Sequence, residues 1–200
     1  MSVTETATHE PLRRVVRRVA LLNLGYFGVE FLVALTIGSV SLFADSIDFL
    51  EDASINLLIL VALRWSAARR GRLGMVLAGI LLVPGLATVW MAWHKIATLV
   101  SPEPLALSLT GLGALAVNLT CALMLARYRD HRGSLTRAAF LSARNDALAN
   151  VAIVGSGLVT AFLWRSAWPD LVVGLGIAAL NADAAREVWS AARDESRAVE

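Results

Sequence analysis

Cysteine is nearly missing from this chain, and its scarcity excludes two kinds of chemistry. The 200 residues hold a single cysteine, Cys121, so neither an intramolecular disulfide nor a cysteine-built metal cluster can form. Inside its apolar run it reads as a small apolar helix residue. Histidine is sparse as well, with three in all, and there is no histidine-rich set. No paired nucleophile and base and no phosphate-cradling loop occurs, so an enzyme is poorly supported. Charge is scarce at 17%, against 57% hydrophobic residues. That balance is too apolar for an ordinary soluble domain.

What is present is a series of apolar runs separated by short basic clusters. Six runs are long enough to cross a bilayer, roughly 16–37, 40–64, 73–95, 104–126, 136–163 and 168–189. The predicted fold is therefore an all-α membrane protein, a bundle of six transmembrane helices. It divides into a basic N-terminal segment (1–15), the six-helix domain (16–189) and a short tail (190–200). The first run lacks a clear small-residue cleavage site after it and reads as a retained span, not a signal peptide. Arg13, Arg14, Arg17 and Arg18 precede it. Arg64, Arg69, Arg70 and Arg72 follow the second run, and Arg127, Arg129, Arg132 and Arg137 follow the fourth. Arg186, Arg193 and Arg197 lie at the C-terminal end, while the opposite side has only Lys95 and Arg165. By the positive-inside rule both termini are cytoplasmic, and the net charge of +2 calls for no nucleic-acid partner. Trp65 and Trp189 fall at cytoplasmic ends, and Trp90, Trp93, Trp164 and Trp168 at outer ends, as aromatic belts do. IGS at 37–39 and SPEP at 101–104 supply outer turns, and RDHRGS at 129–134 a cytoplasmic loop.

The second run carries four acids: Asp45, Asp48, Glu51 and Asp52 fall within eight residues. Asp45, Asp48 and Asp52 are spaced by three and four, and Ser41 and Asn56 extend the series. Such spacing puts the side chains on one helix face. An aspartate at the centre of a membrane helix costs about 3 kcal/mol on insertion scales. Protonation, a partner cation or a water-filled cavity would offset that cost. The plainer alternative is a helix–helix hydrogen-bonding seam, or acids near a membrane end that reach water.

The fifth run echoes the second. Asp52-Ala53-Ser54-Ile55-Asn56 and Asp146-Ala147-Leu148-Ala149-Asn150 share the pattern D-A-x-x-N. Each follows a polar residue four positions earlier, Asp48 and Ser142, and Glu51 corresponds to Asn145. Polar residues are scarce in such segments, so helices 2 and 5 are expected to face a common site. Asp48, Asp52 and Asp146 offer three carboxylates, and Ser142 or Asn145 a neutral oxygen. Four oxygen ligands suit a divalent cation, with waters extending the shell. Without a cation the three acids repel one another and favour keeping a proton, which metal binding displaces.

These residues resemble the cation diffusion facilitator family of divalent-metal/proton antiporters. Residues 26–53, YFGVEFLVALTIGSVSLFADSIDFLEDA, are similar to the family's first two helices, and NDALANVAIV to its fifth. Pro102, Pro104 and Asn118 also fit. The resemblance implies a site in which a His- or Asp-x-x-x-Asp on helix 2 meets another on helix 5. By position these are Asp48 and Asp52, then Ser142 and Asp146. Ser142 departs from the pattern, and the site has no imidazole. All-oxygen ligation shifts the expectation toward manganese or iron(II), while affinity order keeps zinc in play. Asn145 is the candidate replacement ligand.

The resemblance further implies proton-driven efflux by alternating access, a homodimer formed through the membrane region, and a multi-pass location in a bacterial inner membrane. No cofactor is expected beyond the transported ion. The metallochaperone-like soluble domain carried by many members is not expected here. Ser142 also feeds the alternative of a non-transporting membrane sensor or partner subunit with the same fold.

Other polar residues receive smaller roles. Glu30 and Asn23 lie seven apart on one face of helix 1, for packing or proton transfer. Asp45 is a candidate relay or exit ligand, and with Glu30 forms the accessory or proton-relay set. Arg144 points about 200° away from Ser142 and Asp146 and is expected to snorkel to the interface. His94, beside Lys95, reads as a solvated interface residue. His131 and Asp130 sit in a cytoplasmic loop, and Asp183 pairs with Arg186. Gly174 and Gly176 are expected to allow close helix packing.

Overall fold

The computed structural model describes residues 3–62, 86–126 and 133–180, with side chains over 13–57, 60, 86–126 and 145–180. Among these residues every regular element is helical. The helices are α1 (Val3–Ile37), α2 (Val40–Ala62), α3 (86–98), α4 (Pro104–Ala126), α5 (Gly133–Phe162) and α6 (Trp168–Leu180). The chain is an all-α membrane protein, as its apolar runs predict. The arginine clusters at 64–72 and 127–132, with Asp130 and His131, lie outside the described residues. So do Trp65, Asp183, Arg186, Trp189 and the tail.

α1 starts well before the apolar run, at Val3. Hydropathy marks where a helix meets lipid, not where its hydrogen bonding begins, and the residues ahead of the run continue the same helix. The turn into α2 depends on Gly38, whose φ of 63° is left-handed and natural for glycine. Ser39 then caps α2: its Oγ accepts from the Leu42 N–H at 3.1 Å. At the start of α4, Glu103 accepts from the backbone N–H groups of Leu105 and Ala106, and Pro104 takes the first helical position.

α1 packs along α2 and α4 along α5; α1 also lies against α4, and α2 meets α5 over a shorter stretch. The apolar contacts centre on Leu42, Leu107, Ile153 and Ile177, with Phe31 and Phe43 stacked at 5.5 Å. The polarity is inverted relative to a soluble protein. Asn23, Glu30, Asp45, Asn118, Asn150 and Asp170 are buried, while Leu32, Leu109 and Leu123 are exposed. Lipid explains this: apolar side chains meet the tails, and polar groups must find partners inside. Three described helices are long and apolar enough to cross a membrane, within Arg13–Ile37, Pro104–Ala126 and Asn145–Phe162. α2 has 23 residues, about 34 Å of helix, but its four carboxylates set it apart in composition. Trp90, Trp93, Trp164 and Trp168 are all exposed, consistent with an aromatic belt at their end of the bundle.

At that same end an unanticipated cluster fixes the start of α2. Asp170 of α6 is fully buried and accepts from Ser39 Oγ (2.7 Å), Ser41 Oγ (2.6 Å) and the backbone N–H groups of Val40 (2.8 Å) and Ser41 (3.2 Å). Lys95 of α3 donates through Nζ to the Gly38 carbonyl at 2.5 Å and lies in the field of Asp170. Only 6% of Lys95 is exposed. A carboxylate at a helix N-terminus and a nearby ammonium compensate each other's burial. Gly174 allows the approach, because a Cβ there would sit 2.7 Å from the backbone of Val40 and Ser41. Among the described residues nothing stands within 4 Å of where a Cβ of Gly176 would sit.

Candidate metal site

Helical spacing does put the acids of α2 on an inward face. Ser41, Asp45, Asp52 and Asn56 are buried there, and Asp48 and Glu51 are half-buried. The charge acting most strongly on Asp48 is Asp146 of α5, followed by Asp45, Glu51 and Asp52. The acids of α2 and α5 therefore share one region between the two helices. Asp146 is half-buried. Asn145 is exposed, on the side of α5 that also presents Leu148. Ser142 falls within α5, and its side chain lies outside those described. Among the described residues no three His, Cys, Asp or Glu side chains gather closely enough to hold an ion.

Neighbouring helices orient these carboxylates. Asn23 of α1 donates through Nδ2 to Asp52 Oδ2 at 3.4 Å, and its Oδ1 accepts from Cys121 Sγ of α4 at 3.5 Å. Cys121 also lies in the electrostatic reach of Asp52 and Asp146. The lone cysteine thus borders the acidic region, which its reading as a bland apolar residue missed. The available signal was its spacing: three residues after Asn118, it falls on the same inward face.

The D-A-x-x-N echo breaks in detail. Asn56 donates to the Asp52 carbonyl of its own helix at 2.7 Å. Asn150 reaches across from α5 to donate to Asp45 Oδ2, while its Oδ1 accepts from Asn118 Nδ2 at 3.0 Å. A chain of amides therefore links α4, α5 and α2. On the other side of Asp45 stands Glu30 of α1, fully buried, the two carboxyls facing each other. Tyr26, one turn earlier, donates to the Thr110 carbonyl at 2.6 Å and lies in the field of both acids.

A family model for the cation efflux transmembrane domain matches residues 16–194. No curated protein matches the chain. The match takes in all six helices and both acidic segments. A helical membrane bundle that buries acids where two of its helices meet is the architecture that a cation carrier requires. The chain belongs to the cation efflux family, the cation diffusion facilitators, which carry divalent metal cations across membranes.

Proposed function

We propose that this protein exports a divalent metal ion in exchange for protons, by alternating access around a site on α2 and α5. Asp48, Asp52 and Asp146 supply the carboxylates, and Ser142 the neutral oxygen. The reading is supported by the contact of α2 with α5, which brings Asp146 within electrostatic reach of Asp48. Like charges held near each other in a poorly hydrated region call for a cation or protons. In this reading an ion draws the three carboxylates together, and protons take its place on release. Asn23 steadies Asp52 from behind, as groups around metal ligands do. The exposed side of α5 makes Asn145 the weaker of the two neutral candidates.

Oxygen ligation favours manganese and iron(II), and the affinity order retains zinc. Cytoplasmic termini and a homodimer formed through the membrane helices complete the proposal.

The test is reconstitution in vesicles with a pH dye inside, adding zinc, manganese, iron(II), cobalt and cadmium in turn. Proton flux that answers some of these metals, and disappears in Asp52→Ala and Asp146→Ala proteins that still insert, is the expected result. Undiminished flux in either variant would remove the site. Silence with every metal, from folded protein that binds metal, would favour the sensor or partner reading.

A further inference from the structure

Among the described residues, neither carboxyl oxygen of Glu30 nor Oδ1 of Asp45 meets a donor other than the facing carboxyl of the pair. Both residues are 0% exposed. An unpaired buried carboxyl oxygen is costly, so three in one place call for a ligand. Structural roles do not absorb them. Asp170 is equally buried, yet its carboxylate meets four donors. Asp45 is satisfied at Oδ2 by Asn150, which leaves Oδ1 without an amide or hydroxyl donor, and its carboxyl faces that of Glu30. Asn150 is itself held by Asn118, so the orientation of Asp45 is fixed from two helices. Tyr26 turns its hydroxyl hydrogen away, onto the Thr110 carbonyl. The facing carboxyl aside, no described donor reaches the three oxygens.

We infer that Glu30 and Asp45 form a second cation-binding station, distinct from the Asp48–Asp52–Asp146 set. It would take one divalent metal ion on the free oxygens Glu30 Oε1, Glu30 Oε2 and Asp45 Oδ1, with waters completing the shell. Two carboxylates neutralise one divalent charge, and oxygen ligands suit hard divalent ions. Asp45 lies one helical turn from Asp48, toward the Gly38 end of α2. The two stations therefore stand in series along α2, and an ion leaving Asp48 toward that end meets Glu30 and Asp45 next. Asn150 and Asn118 are positioning residues for the second station. The inference rests on the proposed α2–α5 site only for this order of passage; binding at Glu30 and Asp45 stands independently of it.

Counting bound ions tests it. Full-length protein in lipid nanodiscs is titrated with manganese(II), and separately with zinc(II), and the ions bound per chain are measured at saturation. Two ions are expected for the unaltered protein, one for Glu30→Gln, one for Asp52→Asn and none for the double variant. Glu30→Asp, which keeps the charge, should restore the second ion and thereby exclude misfolding as the cause. A count that is the same in Glu30→Gln as in the unaltered protein would overturn the station. It would do so even if that variant changed the protons released on metal addition, since the pair would then hold a proton and not a metal. A count that falls in Glu30→Gln but not in Asp52→Asn would keep the station and sink the α2–α5 site instead.

Discussion

In the proposed site, position 142 is where a single ligand type decides most. The resemblance places a serine where a histidine or aspartate usually stands, and a serine hydroxyl is a weak, neutral ligand. Imidazole nitrogen favours zinc over manganese far more than oxygen does. Ser142→His is therefore expected to raise the zinc-to-manganese transport ratio by about tenfold, the equivalent of ~1.4 kcal/mol. Competition flux with the two ions measures it, and an unchanged ratio would show that position 142 does not meet the ion. Three of the buried asparagines carry a related lesson. Asn23, Asn118 and Asn150 each bond to a side chain on another helix. The sequence marks them as polar residues in apolar runs, but not which helix each one reaches.

Among elements, α2 is the one whose position everything else serves. Its acids are legible from spacing alone, because a period of three and four on a helix admits one face. The anchor of its N-terminus is not legible. Asp170 lies 129 residues from Ser41, and nothing local in either segment announces the contact. Lys95 was hidden for the opposite reason: a lysine near a helix end ordinarily reaches water, and only the packed turn shows that this one cannot. Removing the Asp170 carboxylate would strand the Lys95 ammonium and two serine hydroxyls in a buried place. Asp170→Ala is expected to destabilise the protein by about 3–5 kcal/mol. A thermal melt in detergent should show a lower midpoint, and a midpoint equal to that of the unaltered protein would refute the anchor. Helix limits were readable where a turn residue sits at the border, as at Gly38 and Pro104. The start of α1 had no such mark within the span.

At the scale of the whole molecule, the described helices bury many of their polar residues beside an apolar core and turn leucines outward, as the apolar composition foretells. Which leucines face the lipid required the packing. Leu123 of α4 is 71% exposed, and Leu107 on the same helix is fully buried. A spin label at Leu123 should relax readily with dissolved oxygen, which concentrates in the hydrocarbon, and a label at Leu107 should not. Equal relaxation at the two positions would contradict the assigned outer face of α4. The cluster beside Gly38 has one more consequence, visible to a chemist rather than to a crystallographer. Lys95 is the only lysine in the sequence, and its amine is bound to a carbonyl beneath the α1–α2 turn. Acylating reagents thus find no accessible lysine on the folded molecule, and a modified Lys95 in a tryptic digest would record a moment when that turn had lifted.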